Sequence, residues 1–476
     1  MIVIKRDKTE EQFDITKIDK AVSKAFKACK KKPNLDVIDC VRNTYDIDSD
    51  EKIDVEDIQD TIEKCLMDID KDVAKAYIIY RNERAKARDF KYNKEFYTTV
   101  LELLNGKKND VSKENANKDP RQFFTMRDLV AGETCKKLYK DFVMDKKLLK
   151  LHNKGVVHVH DLDYRAMKAM TNCCLLNLKD MLENGTCIQG KLIHDIHSLQ
   201  VAVTVTTQII AAVGSSQYGG ITINMSHLSP FVAKSKEKYE KIFNTLNDKD
   251  EWVEKFLRKE IVDSMQTFQY QLNSLTTTNG QSPFITVACN TNDVDDEYKD
   301  YTALLIEEFL KQRIKGMEGP NGNNINPSFP KVVYILTENN MEKDSKYYYL
   351  TDLAAECTSK RMVPDYMSEK LSREYKDGRV IPCMGCRSLL GAWKDENGNY
   401  KEWGRFNIGV MSINLPYLAL ESKSLDEFFE KLDDMIDYLS DQQHKVYKTI
   451  CDSVVDVAPI LWMYGGFTRA KSGTKI

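Results

Sequence analysis

An α/β fold preceded by a small helical module is the architecture that the sequence predicts. Short apolar runs alternate with helical segments in the second half of the chain, as in ITVACN (285–290), TALLIEEFLKQRI (302–314) and VVYIL (332–336). This alternation is typical of parallel strands joined by crossover helices, in a barrel or a doubly wound sheet. Residues 1–92 instead combine a β-hairpin with amphipathic helices, which predicts a separate domain before residues 93–476.

Composition limits the class of protein. The chain has 476 residues, of which 42% are hydrophobic and 30% charged, and its net charge is −3. The mixed, nearly balanced charge argues against direct nucleic-acid binding and against a membrane-surface role. No apolar run approaches the ~20 residues of a membrane span. Twelve cysteines without a framework spacing, and no signal-peptide pattern, predict free thiols in a cytoplasmic protein.

The N-terminal module begins with two short strands, Ile2–Asp7 and Glu11–Phe13, joined by a turn. Three helices follow, and the first, Ile15–Ala28, carries apolar residues every three or four positions. Three basic residues would lie near the mouth of the hairpin: Lys5, Arg6 and Lys17. Basic side chains there could hold a polyphosphate. A generic helical domain is the alternative, because no Walker-type loop is present.

Two thiols bracket a turn in VIPCMGCRS (380–388), where Pro382 and Gly385 interrupt regular structure. Cys383 and Cys386 allow four interpretations: core cysteines, a zinc knuckle, a thioredoxin-type dithiol, or a reactive centre facing a substrate. Zinc needs a second ligand pair, and the sequence has no other CxxC. A redox dithiol would open a helix, whereas the downstream sequence reads as loop and strand.

Histidines alternate with valines in VVHVHD (156–161), which predicts a strand with His158 and His160 on one face. A metal site is one interpretation, but no third ligand stands at the usual spacing, so satisfied core histidines are the default. Cys173 follows in the strand-like run TNCCLLNL (171–178). On neighbouring strands, a cysteine and two histidines could together move a proton and a hydrogen atom.

The middle of the chain predicts packing layers. Residues 198–228 carry small apolar side chains suited to close helix or subunit packing, and GSSQYGG (214–220) matches no phosphate-binding loop. Residues 231–275 are charged and helical, which predicts a solvated outer layer.

The first module carries four motifs: VIKRD, FDITKI, VEDIQDTIEKCLM and AKAYIIYRNERA. With these motifs it resembles the ATP-cone, and the resemblance is to the allosteric nucleotide domain of ribonucleotide reductases. It implies ATP and dATP as allosteric ligands. It also implies four residues that contact the nucleotide: Lys5, Arg6, Glu11 and Lys17.

Seven segments follow one another along the remaining chain: HVHDLDY, TNCCLLNLKDML, QYGGITIN, NGQSPFITV, FPKVVYIL, CMGCRSLLG and GRFNIGVMSINLP. In sequence and in order, their resemblance is to the anaerobic, class III ribonucleoside-triphosphate reductases, in which a finger loop lies inside a ten-stranded α/β barrel. It implies a thiyl radical at Cys386 beside Met384, and a second reactive cysteine at Cys173. It further implies active-site roles for His158 and His160, and a hydrogen bond from Asn407 to the ribose.

The same resemblance implies that ribonucleoside triphosphates are reduced to deoxyribonucleotides for DNA replication, with formate as the reductant. The family forms homodimers and places a dNTP effector site at the dimer interface, where Gln208 is our candidate residue. Its radical is stored on a C-terminal glycine and is made by a separate S-adenosylmethionine and iron–sulfur activase.

The sequence ends at WMYGGFTRAKSGTKI, before the family's two zinc-binding CxxC pairs and its R-x-C-G-Y glycyl radical loop. We therefore expect an incomplete barrel that lacks the zinc and glycyl radical residues, and no turnover by this chain alone. A second polypeptide could supply that segment. The alternative is an inactive nucleotide-binding fragment that associates with a complete reductase. A formate-lyase-type enzyme fits worse, because that class lacks the cone and the HVHD element.

Overall fold

The computed structural model describes residues 1–6, 9–34, 36–47, 49, 51–107, 119–385 and 388–476, without the side chains of 87–92. It divides into two compact units, Met1–Thr99 and Val100–Ile476. The predicted boundary after residue 92 stays a prediction. Within the described residues, no helix is both long enough and apolar enough to cross a membrane.

The first unit is a small three-stranded sheet packed with helices. Its elements in chain order are β1 (Ile2–Ile4), β2 (Glu10–Gln12), α1 (Ile15–Ala28), α2 (Asp36–Thr44), β3 (Lys52–Asp54), α3 (Val55–Ile69) and α4 (Lys71–Tyr92), followed by α5 (Lys94–Leu104). β1 pairs antiparallel with β2, which confirms the hairpin, and parallel with β3. The sequence did not predict α2 or β3, because nine and three residues are too short for a periodic signal.

The core of this unit follows the predicted helix faces. Ile18, Val22 and Phe26 of α1 are buried together with Ile58 and Ile62 of α3. Each set recurs every four residues, so one side of each helix is apolar. The Asp14 carboxylate accepts a hydrogen bond from Thr16 N–H at the start of α1, which satisfies an amide that the helix itself leaves unpaired.

One expectation about the cysteines is wrong. Cys40 of α2 and Cys65 of α3 form a disulfide, with their Cα atoms 6.2 Å apart. The two helices pack side by side and bring these residues within bonding distance, which a separation of 25 residues does not reveal.

The second unit has the alternating strands and helices that the sequence predicts. Its strands are β4 (Val157–Val159), β5 (Cys174–Leu175), β6 (Thr186–Ile188), β7 (Lys191–Ile193), β8 (Ile221–Asn224), β9 (Ile285–Cys289), β10 (Met317–Glu318), β11 (Asn324–Ile325), β12 (Lys331–Leu336), β13 (Asp365–Ser368), β14 (Arg405–Phe406) and β15 (Met411–Ile413). Its longer helices are α6 (Phe123–Leu138), α7 (Lys146–Asn153), α10 (Leu199–Gly214), α11 (Ser229–Ile242), α12 (Lys249–Ser274), α13 (Lys299–Lys315), α15 (Tyr348–Arg361) and α18 (Leu425–Cys451). Its shorter helices are α8 (Leu162–Arg165), α9 (Leu178–Glu183), α14 (Glu338–Met341), α16 (Glu369–Tyr375), α17 (Leu415–Leu420) and α19 (Pro459–Trp462).

Six strands form the main sheet, in the order β13-β12-β9-β8-β5-β14. Neighbours from β13 to β5 run parallel, and β14 is antiparallel to β5. The sequence β9–α13–β12 is therefore a strand–helix–strand crossover, as predicted. A ten-stranded barrel stays a prediction, because the described residues place six strands in this sheet.

The two faces of the sheet differ. Ile221, Ile223, Ile285 and Val287 belong to the large core that also contains α10, α12 and α13. The intervening residues therefore face the opposite side. The predicted solvated layer at 231–275 is only half right, since α12 buries an apolar stripe on that core: Leu257, Ile261, Met265, Phe268 and Leu272.

Candidate functional site

Residues 381–385 lie on the face of the sheet that does not contact α10, α12 and α13, with a turn at Gly385. Met384 N–H donates to Ser388 O at 2.7 Å, and Ser388 N–H donates to Met384 O at 3.2 Å. Gly385 has a φ of +60°, a conformation that glycine adopts without strain. Cys386, the predicted radical cysteine, lies outside the described residues together with Arg387.

Two strand threonines hold this turn. Thr222 Oγ1 donates to Cys383 O at 3.0 Å and accepts from Gly385 N–H at 3.1 Å. Thr286 Oγ1 donates to Gly385 O at 2.8 Å. Met384 is fully buried in an apolar cluster with Leu175 and Ile381.

Two other cysteines, Cys383 and Cys174, pack in apolar surroundings. Cys383 is buried against Val333 and Ile335. Cys174 belongs to the large core, and burial raises the pKa of its thiol far above the ordinary range. Both therefore behave as small apolar residues.

The Cys173 thiol lies directly against the turn. Gly220 N–H donates to Cys173 Sγ at 3.1 Å. A Cβ added at Gly385 would lie 2.8 Å from the same sulfur, and one added at Gly219 would lie 2.7 Å from it. Only glycine permits this approach, so the Gly219–Gly220 pair sets how closely the chain packs against the Cys173 thiol, whereas the sequence pattern predicted only a loop there.

Asn407 holds the backbone of Cys173. Its Oδ1 accepts from Cys173 N–H at 2.8 Å, and its own N–H donates to Cys173 O at 3.0 Å. Asn172 N–H in turn donates to Asn407 O at 3.0 Å. The structure therefore brings together two residues that stand 234 positions apart in the sequence.

His158 lies on β4, as expected, and His160 follows directly after the strand. The His158 and His160 rings are perpendicular with centroids 4.5 Å apart, and His160 Nε2 lies 2.8 Å from Ser412 Oγ. However, β4 pairs with β15 in a separate two-stranded sheet. The expectation that these histidines stand on a strand neighbouring that of Cys173 is therefore wrong.

A third histidine, His152, joins this row, which the sequence pattern did not predict. The His152 ring lies 5.3 Å from that of His158, and His152 Nδ1 accepts from Val159 N–H at 3.2 Å. Burial lowers the pKa of His158 and His160, and burial with the nearby lysines lowers the pKa of His152 to about 4. All three imidazoles are therefore neutral at pH 7. The signal available in the sequence was the position of His152, six residues before His158.

Two cavities adjoin these residues. One of about 550 Å³ is lined by His152, His158 and Asp161. A second of about 430 Å³ is lined by Arg165 and Met411. Tyr218 lines both, and its N–H donates to Thr171 O at 3.2 Å, two residues before Cys173. Both volumes fall in the range typical of small-molecule sites.

In the first unit, the four predicted nucleotide residues all lie in ion pairs. Glu11 pairs with both Lys5 and Lys17. Arg6 pairs with Glu56, and its Nη2 donates to Gln59 Oε1 at 3.3 Å. Glu56 also pairs with Arg81 of α4, which reaches two further acids, Asp60 and Glu63, at 2.7 Å each. Glu56 and Arg81 were not predicted from the sequence, because their partners lie on other elements.

Gln208 is exposed on α10, between buried Thr207 and Ile209. Its predicted place at a subunit interface stays a prediction. Among the described residues, no cluster of three or more His, Cys, Asp or Glu side chains could hold a metal ion.

Comparisons with known proteins agree on one family. Residues 114–476 match the family model "Anaerobic ribonucleoside-triphosphate reductase", and residues 1–86 match "ATP cone domain". The chain is 35% identical to the anaerobic ribonucleoside-triphosphate reductase of Haemophilus influenzae over 478 residues, which cover 97% of this chain and 65% of that protein. It is 37% identical to that of Enterobacteria phage T4, over 77% of this chain and 61% of that protein. The chain thus spans less than two thirds of the length of these relatives.

Solved structures show the same fold. The anaerobic ribonucleotide reductase from Thermotoga maritima with citrate in the active site matches with a TM-score of 0.52 at 14% identity, over 78% of this chain and 65% of that one. The same enzyme in complex with dATP and CTP matches with a TM-score of 0.52 at 16% identity, over 79% of this chain and 65% of that one. At these identities the likeness concerns the fold alone.

Proposed function

The chain belongs to the anaerobic ribonucleoside-triphosphate reductase family, and on that premise we propose that it carries the reducing centre for ribonucleoside triphosphates. The observation that supports this most is the packing of Cys173 against Gly385, with Asn407 bonded to both sides of the Cys173 backbone. That arrangement holds one thiol against the turn from which Cys386 continues the chain.

The proposed reaction replaces the ribose 2′-OH by hydrogen. Cys386, as a thiyl radical, takes the 3′-hydrogen, so that an S–H bond forms and the C3′–H bond breaks. The C2′–O bond then breaks and the hydroxyl leaves as water after gaining a proton. Cys173 donates a hydrogen atom to C2′ and regains one from formate. The carbon dioxide radical anion so formed gives its electron, together with a proton, to the 3′-keto group left by the loss of water, and departs as carbon dioxide. Cys386 then returns the hydrogen atom to C3′, which restores its thiyl radical. Such a centre must exclude water so that the radical is not quenched.

Asn407 and the histidines have separate proposed roles. Because Asn407 Oδ1 accepts from Cys173 N–H, its carboxamide NH₂ is the group that would donate to the ribose. His158 and His160 would hold or pass the proton that the leaving hydroxyl needs, since a neutral imidazole both donates and accepts. Lowered pKa values keep both rings neutral at pH 7.

The family's radical source is a glycyl radical, which supplies the hydrogen-atom acceptor that generates the thiyl. We propose that it is provided outside the stretch spanned by this chain, through a glycine-bearing segment and a radical S-adenosylmethionine activase. The described residues do not fit the family's zinc site, and zinc has no role in the steps above.

We propose that ATP or dATP binds the first unit at Lys5, Arg6, Glu11 and Lys17. The triphosphate would replace Glu11 and Glu56 as the anionic partner of the basic side chains.

A homodimer formed through α10 would place a dNTP effector near Gln208. The cytoplasm is the proposed location, since deoxyribonucleotides are used there.

The test is reconstitution under anaerobic conditions. The chain would be mixed with formate, ATP, ribonucleoside triphosphates, a family activase and a polypeptide carrying a relative's C-terminal glycyl radical segment, and dNTP formation would be followed by mass spectrometry. We expect no turnover without the added polypeptide and formate-dependent turnover with it. C173S and N407A should lose turnover, whereas C187S, in the β6–β7 hairpin, should keep it.

Two outcomes would overturn the proposal. Nucleotide binding without dNTP formation under every complementation would mean a binding fragment. Turnover that survives C173S would remove Cys173 from the chemistry.

A further inference from the structure

Two buried threonines occupy matching positions on neighbouring strands. Thr222 of β8 is directly opposite Thr286 of β9 in the parallel register, and neither side chain is exposed. The adjacent strand positions are apolar, including Ile221, Ile223 and Ile285. A buried hydroxyl is unfavourable unless it is hydrogen-bonded. The pair therefore needs a polar partner on its side of the sheet.

That partner is one stretch of backbone. The Thr222 hydroxyl bonds both Cys383 O and Gly385 N–H, and the Thr286 hydroxyl bonds Gly385 O. The peptide groups on both sides of the Gly385 Cα are thus held, by residues 99 to 163 positions away in the sequence. Among the described residues, the backbone pairing of this segment consists of the two bonds between Met384 and Ser388, and neither involves Gly385. The hydroxyls therefore supply the constraint on Gly385 itself.

The constraint sets how closely the turn approaches Cys173. A Cβ at Gly385 would lie 2.8 Å from Cys173 Sγ, and a Cβ at Gly220 would lie 2.8 Å from Gly385 Cα. Moving Gly385 therefore changes the distance between the Cys173 thiol and the chain that leads to Cys386. A hydrogen-atom transfer between centres is sensitive to such a distance.

We propose that Thr222 and Thr286 are positioning residues for the reductase chemistry, which hold the Gly385 backbone against Cys173. This inference rests on the proposed function for its consequence in catalysis, but its structural part can be measured without turnover. Each threonine acts through the turn and touches no reacting atom.

The first experiment measures the turn itself. Amide hydrogen exchange in peptides spanning 383–385 would be compared for the full chain, T222V, T222S and T286V. T302V is the matched control, because Thr302 is equally buried but bonds Tyr298 O within its own helix. T222V should speed exchange of the Gly385 amide about tenfold, since it removes the acceptor of that amide. T222S should restore protection, and T302V should leave it unchanged.

Equal exchange in T222V and T302V, in variants with equal unfolding midpoints, would overturn the inference. T286V, which removes only the donor to Gly385 O, provides an independent check. Iodoacetamide should alkylate Cys173 faster in T286V than in the full chain or in T302V. An unchanged rate would remove Thr286 from the inference.

The second experiment uses the reconstituted enzyme. T222V should lower kcat about a hundredfold while KM for the ribonucleotide changes less than about threefold, because substrate contacts are unchanged. T222S should recover most of kcat. A T222V enzyme with unchanged kcat would refute the catalytic consequence. If the parent chain shows no turnover at all, the proposed function fails, while the exchange data still decide whether the threonines hold the turn.

Discussion

The two units hold their candidate functional residues in opposite ways. In the first unit the basic side chains are exposed, Lys5 by 46% and Lys17 by 60%, and they pair with carboxylates. In the second unit Cys173, Asn407 and Gly385 are held by hydrogen bonds to backbone atoms, and the Thr222 and Thr286 hydroxyls are fully buried. Exposed ion pairs are weak and screened by salt, whereas buried bonds are costly to break. The first arrangement suits exchange of one anion for another, and the second suits fixed geometry.

The largest effect is expected from Gly219→Ala, beside Cys173 in the second unit. The new Cβ would lie 2.0 Å from Asn172 Oδ1 and 2.6 Å from the Asn172 carbonyl carbon. Because backbone must move, we expect a loss of about 3 kcal/mol in the free energy of unfolding and no turnover in the reconstituted enzyme. Urea unfolding measures the first effect. Gly391→Ala is the control, since a Cβ there meets nothing within 4 Å. Equal stability of the two variants would contradict a close-packed Cys173 site.

The first unit also contains a covalent constraint, the Cys40–Cys65 disulfide, in contrast to its exposed ion pairs. Cys40→Ser should lower the free energy of unfolding of that unit by about 2–3 kcal/mol under oxidising conditions, from the closed 25-residue loop. With dithiothreitol, the parent chain and the variant should unfold alike. Cys29→Ser, a half-buried cysteine outside the disulfide, is the control. A parent chain indifferent to the reductant would show that the bond contributes nothing to stability.

The pH dependence tests the histidine row of the second unit. Folding lowers the pKa of His152 from 6.5 to about 4. Between these values the unfolded chain binds more protons, so the stabilisation is complete above pH 6.5 and is lost as pH falls toward 4. Between pH 6.5 and pH 4, the free energy of unfolding should therefore decrease less in His152→Asn than in the parent chain. Because His152 is partly exposed, we expect this difference to be about 1–2 kcal/mol. Thermal unfolding from pH 7 to pH 4 measures it, with exposed His444→Asn as the control. Parallel pH profiles for the two variants would mean that His152 titrates normally.

The smallest effect on stability is expected at the exposed ion pairs. Lys17→Gln should change the free energy of unfolding by less than about 0.5 kcal/mol, yet weaken ATP binding about tenfold at low salt, with the difference shrinking as salt rises. Isothermal titration calorimetry would measure the binding. Lys52→Gln is the matched control, because Lys52 is similarly exposed and pairs with Glu10 at 2.6 Å. ATP affinity that falls equally in both variants would point to a general charge effect rather than a site at Lys17.

The candidate site was only partly predictable. Resemblance to family motifs pointed to Cys173 and Asn407, and the structure brings them together. The sequence did not point to three other features: His152, Glu56 and the Gly219–Gly220 pair. Each of them makes its relevant contact with a residue on another element. The pairing of β4 with β15, rather than with a strand near Cys173, was also beyond local patterns. Cys386 lies outside the described residues, so its predicted role stays a prediction.

The sequence by itself determined the elements whose signals are local. The apolar periodicity of α1, α3 and α13 and the apolar runs of β9 and β12 specify helix or strand within one segment. Pro382 and Gly385 likewise determined that the cysteine segment turns. The tertiary structure alone decided that Thr222 and Thr286 hold that turn, and that Cys40 meets Cys65. The physical reason is that these contacts depend on strand order and helix packing, which bring together residues that are not neighbours in the sequence.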